Sequence, residues 1–127
     1  MSRVLGIRGA TTCDTDTRDA ILDATEELLR ELSVANDFDP DDLATAIFTV
    51  TTDLTAAFPA EVARVRLQWT DGAFLSATEI PVPDAPDRCI RVLLLVNTEK
   101  ARGDIHHVYL RGANNLRQRG VNETDNR

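Results

Sequence analysis

The feature that most constrains the fold is a nearly continuous apolar run from Cys89 to Val96. A run of this length, bounded by turn-forming residues, is typical of a strand in the interior of a sheet. Arg91 is the one charged residue inside it. The run therefore predicts an interior strand, and it leaves the position of Arg91 to be explained.

A second pattern predicts one long helix. Asp16 can cap it, and apolar side chains then recur at helical spacing between acidic residues: Ile21, Leu22, Thr25, Leu28, Leu29 and Leu32. Shorter strands are predicted at 4–8 (ended by Gly9), 46–51, 74–80 and 107–110. Short helices are predicted at 41–44 after an Asp39-Pro40 cap, from Pro59 through Leu67, and at 112–116. The alternation predicts an α+β or α/β sandwich.

Length and charge limit the classes of function. The 127 residues predict one domain over residues 1–117, followed by a polar tail at 118–127 that we expect to be mobile. The net charge of −7 argues against nucleic acid and anionic membranes as partners. No apolar stretch approaches the roughly 18 residues of a membrane span, and no signal peptide is visible. Together with two cysteines that lack ligand spacing, this predicts a cytoplasmic protein with reduced thiols.

Two arginines are candidates for binding an anion. Arg91 must either reach the sheet edge or meet an anion, because an unpaired buried charge is very costly. A structural ion pair, for example with Glu79, explains its position equally well. Strand alternation places Arg8 on the face opposite Leu5 and Ile7, and glycines flank it.

Other polar residues allow more than one interpretation. Glu79 could be a general base, an acceptor for a substrate hydroxyl, or the partner of an arginine. Tyr109, the only tyrosine, could as well be a core ring with a hydrated hydroxyl. His106 and His107 are adjacent and would point to opposite faces of a strand, which is poor geometry for a shared metal ion. We therefore expect no metal site.

Several segments closely resemble the AroH-class chorismate mutases, in the order and at the spacing of that family. They are Gly6-Ile7-Arg8-Gly9-Ala10-Thr11-Thr12, Thr52-Asp53-Leu54-Thr55-Ala56-Ala57-Phe58-Pro59-Ala60, Cys89-Ile90-Arg91-Val92 and His107-Val108-Tyr109-Leu110. The likeness covers residues 4–117. It implies an α+β fold in which a mixed β-sheet packs on one long helix plus short helices. It also implies a homotrimer that forms a pseudo-α/β barrel with active sites between subunits.

The resemblance also implies an activity and a set of residues. The activity is the isomerisation of chorismate to prephenate, a Claisen rearrangement in the shikimate route to Phe and Tyr, with no cofactor. The catalytic residues would be Arg8, Glu79, Arg91 and Tyr109. The substrate site would also include Leu75, Ser76, Ala77, Thr78, Leu116 and Arg117, and, from the neighbouring side of the interface, Phe58, Ala60 and Arg64.

Two departures from the family and two rival functions accompany this prediction. Glu61 stands where the family can have a lysine, and Ser76 where it can have a cysteine. The rival enzyme is a Rid-like enamine/imine deaminase, which shares a similar trimeric fold but not the Gly-Ile-Arg-Gly-Ala-Thr-Thr opening. The rival without catalysis is a trimer that only binds a small carboxylate.

Overall fold

The computed structural model describes residues 2–114 and 116. They form a mixed five-stranded sheet in the order β3-β2-β4-β1-β5, with one long helix packed on it. The strands are β1 (Arg3–Thr12), β2 (Leu43–Val50), β3 (Ala73–Thr78), β4 (Cys89–Thr98) and β5 (Val108–Tyr109), and the long helix is α1 (Arg18–Asn36). Short helical turns cover Pro40–Asp42, Val62–Arg66, Arg102–Asp104 and Arg111–Ala113. This confirms the predicted α+β fold.

The apolar run forms β4, at the centre of the sheet. It pairs antiparallel with β1 on one side and with β2 on the other. Its even-numbered residues, Ile90, Val92, Leu94 and Val96, are buried. Arg91 is exposed, and Leu93 and Leu95 are half-buried on the opposite face. The predicted interior strand is confirmed, with one face toward α1 and one face partly open.

Helix α1 buries the predicted apolar side chains, Ile21, Leu22, Thr25, Leu28, Leu29 and Leu32. Burying one leucine or isoleucine stabilises the fold by about 1.5–3 kcal/mol. The cap is Thr17, whose hydroxyl accepts a hydrogen bond from the backbone N–H of Ala20. The prediction of Asp16 as the cap was wrong. The Asp16 carboxylate instead accepts hydrogen bonds from Thr55 and from the backbone N–H of Ala56, and so ties the start of α1 to the loop after β2.

Gly9 does not end the first strand, as the sequence had suggested. Strand β1 continues through it to Thr12, and the glycine lies where α1 comes closest to the sheet. A Cβ atom at this position would lie 2.7 Å from Leu32 Cδ1 and 3.1 Å from Leu28 Cδ1. The missing side chain therefore serves close helix–sheet packing.

The segment between α1 and β2 is shorter than predicted. Asp39 caps a turn that begins with Pro40, as expected, and its carboxylate accepts a hydrogen bond from the Asp41 N–H. The helical part ends at Asp42, and β2 begins at Leu43. The predicted helix over 41–44 is thus a single 3₁₀ turn. The polar tail at 118–127 lies outside the described residues. No helix in the described part of the chain is long and apolar enough to cross a bilayer.

Candidate active site

The strand register places one row of side chains across the sheet. In the strand register, Arg91 on β4 lies opposite Thr49 on β2 and, on its other side, opposite Ala10 on β1. Ala10 in turn lies opposite Tyr109 on β5. Paired residues on neighbouring strands point to the same face. The row therefore lies on the face of the sheet opposite α1. Arg8 is two residues before Ala10 on β1, so its side chain lies on the same face.

This row and the loop after β3 enclose a cavity of about 530 Å³. Four polar residues predicted for the site line it together: Arg8, Glu79, Arg91 and Tyr109. The remaining wall is mostly apolar, and includes Ile47, Ile80, Val82, Leu93 and Leu116. A concave site with a few convergent polar groups on an apolar wall is typical of sites for small molecules.

Arg91 and Glu79 meet inside the cavity. Arg91 Nε lies 3.5 Å from Glu79 Oε2, and the two side chains are 46% and 24% exposed. The Thr49 hydroxyl donates a hydrogen bond to the same Glu79 oxygen. The two interpretations of Arg91 are thus compatible, because it has a carboxylate partner and its guanidinium still faces open space where an anion could bind.

Arg8 is held in place through its backbone. Its N–H donates a 3.0 Å hydrogen bond to His107 Nδ1, just before the short pairing of β5 with β1. Partial desolvation lowers the pKa of His107, and the positive charges of Arg8 and His106 lower it further. His107 thus joins the strand that carries Arg8 to the strand that carries Tyr109.

The ring of Tyr109 has two kinds of neighbours. It packs against a small buried cluster on the cavity side of the sheet, made of Ala10, Cys89, Ala113 and Leu116, and it also lines the cavity. Burial raises the pKa of the Cys89 thiol to about 11, so this cavity-lining group is protonated at neutral pH and is a poor nucleophile.

Other predicted site residues lie away from this cavity within the described chain. Phe58 and Leu75 are strongly exposed, at 70% and 61%, whereas Ala60 is buried. Arg64, Ser76, Ala77 and Thr78 are exposed on the same two segments. Arg117 lies outside the described residues. A single chain therefore brings together the four catalytic candidates and Leu116, and leaves the others facing outward or packed elsewhere.

The sequence interpretation missed several residues of the cavity. Thr49 and Thr51 of the β2 region, and Ile80, Val82, Ala85 and Pro86 of the loop after β3, line it. The alternation of Ile47, Thr49 and Thr51 could have placed these three on one face. Their position next to Arg91 depends on the pairing of β2 with β4, which the sequence does not contain.

Glu61, the departure from the resembled family, is part of an ion pair. Arg18 at the start of α1 donates two hydrogen bonds to the Glu61 carboxylate. Arg66 on the same segment pairs with Asp23 and Glu26 of α1. The negative charge at residue 61 is thus compensated, and the segment that follows Phe58 is fastened to α1.

The geometry suits a small dicarboxylate that carries a hydroxyl group. Two guanidinium groups can hold carboxylates, since their planar forks match that shape. The Glu79 carboxylate can accept a hydrogen bond from a hydroxyl, and the Tyr109 phenol can donate or accept one. The site thus offers fixed charges and hydrogen-bonding groups around a cavity with a largely apolar wall.

Comparison with known proteins agrees with this description. A family model described as "Chorismate mutase type I" matches residues 4–119. The chain is 50% identical over 115 residues to Chorismate mutase AroH of Thermus thermophilus, covering 90% of this chain and 93% of that one. It is 36% identical over 107 residues to Chorismate mutase AroH of Bacillus subtilis (strain 168), covering 84% of each.

A solved structure shows the same fold. The chorismate mutase from Clostridium thermocellum Cth-682 superposes with a TM-score of 0.83 at 49% sequence identity, covering 86% of this chain and 96% of that one. These matches favour the mutase over the deaminase alternative. The chain belongs to the type I chorismate mutase family, the AroH class of isomerases.

Proposed function

We propose that this cavity isomerises chorismate to prephenate, the step that leads toward Phe and Tyr. The observation that carries the proposal is the convergence of Arg8, Glu79, Arg91 and Tyr109 on one cavity. The rearrangement is unimolecular, so a site for it needs to bind one small diacid in a compact conformation. It requires neither a cofactor nor proton transfer.

Each polar group has a role in this proposal. Arg8 binds a substrate carboxylate, and Tyr109 hydrogen-bonds close to it. Arg91 contacts the other carboxylate and the ether oxygen of the breaking bond, and Glu79 accepts the hydrogen bond of the ring hydroxyl. These roles fit the positions of the side chains around the cavity.

Catalysis then comes from position and charge. Holding the substrate as a near-attack conformer removes most of the entropic cost of reaching the transition state. Negative charge gathers on the ether oxygen as the C–O bond breaks, and a fixed guanidinium stabilises that charge more in the transition state than in the ground state. An arginine at residue 91 is suited to this, because its planar guanidinium presents several hydrogen-bond donors in a rigid fork.

The complete site is proposed to lie between subunits of a homotrimer. Phe58, Ala60 and Arg64 would come from the neighbouring side of the interface. Leu75 to Thr78 would line the pocket of the assembled site along the strand that leads to Glu79, and Arg117 would lie near the tail. The proposal is supported by the exposure of Phe58 and Leu75 and by the partly open apolar sheet face. Where exposed apolar side chains form a contiguous patch, that patch is typical of an interaction surface. We further propose that the catalytic domain spans residues 1–117 and acts in the cytoplasm.

The test is direct. Purified protein is added to chorismate, the loss of its ultraviolet absorbance is followed, and the product is identified as prephenate. Binding of chorismate without loss of absorbance would instead indicate a protein that only binds the carboxylate. Light scattering measures the oligomeric state in the same preparation, and a monomer at the assay concentration would contradict the trimer.

A further inference from the structure

Thr49 occupies a distinctive place in the sheet. Strand β2 lies between β3 and β4, and Thr49 is the partner of Ala77 on the first and of Arg91 on the second. Its side chain therefore stands on the cavity face next to the guanidinium-bearing residue. Ile47 and Thr51, two residues away on either side, line the same cavity.

The Thr49 hydroxyl is bonded to the Glu79 carboxylate. It donates to Oε2, the same oxygen that lies 3.5 Å from Arg91 Nε. Glu79 itself follows the end of β3, and its backbone is anchored by a 2.8 Å hydrogen bond from its N–H to the Val50 carbonyl. Beyond that anchor, the long glutamate side chain has several rotatable bonds, so its carboxylate needs further contacts to hold one orientation.

The position of the carboxylate matters because a bound anion would be a second partner of Arg91, beside Glu79. If Arg91 turns toward a bound anion, its 3.5 Å contact with Glu79 weakens. A hydroxyl that holds Oε2 independently would keep the carboxylate in place and leave Oε1 for a substrate group. Functional groups act best when a second set of contacts fixes their orientation in advance.

We propose that Thr49 is a positioning residue of this active site, which holds the Glu79 carboxylate beside Arg91 in the orientation that accepts the substrate hydroxyl. This rests on the proposed function, and it adds a residue that the sequence did not single out. Thr49 does not contact the reacting atoms in this proposal. It acts through Glu79.

The test compares variants at residue 49 in steady-state kinetics with chorismate. Thr49→Val removes the hydroxyl, keeps the shape of the side chain and retains a high strand propensity. We expect its kcat to fall about tenfold, the effect of losing a hydrogen bond to a charged group, with little change in KM. Thr49→Ser restores the hydroxyl and should recover most of the wild-type kcat. If Thr49→Val does not fold, Thr49→Ala is measured in its place.

Two controls separate positioning from a structural effect. Thr45 lies on the same strand, and its hydroxyl donates a 2.7 Å hydrogen bond to the Ala73 carbonyl, outside the cavity. Thr45→Val should therefore leave kcat unchanged. In a Glu79→Ala background, Thr49→Val should cause no further loss, because residues that act through one another are not additive.

The outcomes are distinct. A wild-type chain that does not convert chorismate would overturn the proposed function and this inference with it. With an active wild-type chain, the inference alone fails if Thr49→Val has normal kcat or if Thr49→Ser is as slow as Thr49→Val. It also fails if the loss persists in full when Glu79 is absent.

Discussion

Arg91 shows how a charged residue can belong to the most apolar strand of a protein. The strand has two faces, and Arg91 lies on the face away from α1. Its side chain is 46% exposed there and pairs with Glu79. An unpaired charge on the opposite face would be buried with Ile90 and Val92 at a cost of several kcal/mol. The alternation of the strand thus lets one sequence segment build both core and active site.

Replacing this guanidinium tests its role directly. Arg91→Ala should lower kcat by at least about 10²–10³, the effect of losing a preorganised donor at the site where charge develops. The fold should survive, because the side chain is about half exposed. The matched control is Arg102→Ala, which removes an exposed arginine in a turn outside the cavity. Near-normal kcat in Arg91→Ala would exclude the proposed contact with the ether oxygen.

The hydrogen bond between His107 and the backbone of Arg8 requires an imidazole nitrogen without a proton. His107 Nδ1 accepts from the Arg8 N–H, which a doubly protonated ring cannot do. The pKa of His107 is lowered in the folded state by desolvation, Arg8 and His106. Because the folded state favours the neutral ring, this contribution to stability is present above the unfolded pKa of about 6.5 and is lost as the pH falls through the folded pKa.

His107→Asn should therefore flatten the pH dependence of stability. The amide oxygen can accept from the Arg8 N–H, and it does not titrate. Denaturant unfolding of the variant and the wild type between pH 7 and pH 5 should show a smaller loss of stability in the variant. His106→Asn is the control: its backbone contacts with Asn36 remain, and it removes only the smallest of the three causes that lower the pKa of His107, so most of the pH dependence should persist. Equal losses in His107→Asn and in the wild type would rule out this contribution.

At the scale of elements, the contact of β1 with α1 depends on the absence of a side chain. Gly9 lies under Leu28 and Leu32 of the helix, and its neighbour Arg8 points the other way into the cavity. The same strand therefore seats the helix and presents an active-site arginine.

Adding one methyl group tests this packing. Gly9→Ala should lower the free energy of unfolding by about 1–2 kcal/mol, because overpacking a filled core forces neighbouring side chains from their preferred positions. Gly6→Ala on the same strand is the control. A Cβ there would have ordinary contacts of 3.4 Å or more, so we expect a neutral or slightly stabilising effect. Urea unfolding measures both, and equal effects at the two positions would contradict the close approach.

At the scale of the whole molecule, one chain holds only part of the proposed site. Arg8, Glu79, Arg91 and Tyr109 share a cavity, while Phe58, Arg64 and Leu75 face outward elsewhere. Ion pairs join the segment after Phe58 to α1, including the one between Arg18 and Glu61. This arrangement fits a segment that contributes to the active site of another subunit.

Mixing two inactive variants tests this arrangement. Arg91→Ala and Arg64→Ala chains are co-expressed or refolded together, so that mixed trimers form. If the site takes Arg91 from one subunit and Arg64 from its neighbour, about a quarter of the sites in a random equal mixture are intact, and activity returns to about that level. The control is each variant alone, expressed or refolded in the same way. No recovery in mixed trimers would show that both residues serve the site of a single chain.

Local sequence patterns predict the strongly periodic helix and strands, and the face of each on which a side chain lies. Period-2 alternation placed Arg8 opposite Leu5 and Ile7, and period-3.6 spacing identified the buried stripe of α1, because these patterns reflect local backbone geometry. The resemblance of several segments to one family supplied the four catalytic candidates. The prediction of Asp16 as the helix cap was wrong because its carboxylate binds Thr55, which is distant in sequence. The prediction that the strand ends at Gly9 was wrong because this glycine allows close packing of α1 on the sheet.

Which residues are neighbours across the sheet follows from long-range strand pairing, which is a property of the folded chain. The row of Thr49, Arg91, Ala10 and Tyr109 exists because β2 and β1 flank β4 and β5 joins the edge at β1. Strand order and register depend on contacts between residues far apart in the chain, and local propensity carries no information about them. For the same reason, the hydrogen bond between Thr49 and Glu79 depends on the pairing of β2 with β3, which local sequence does not specify.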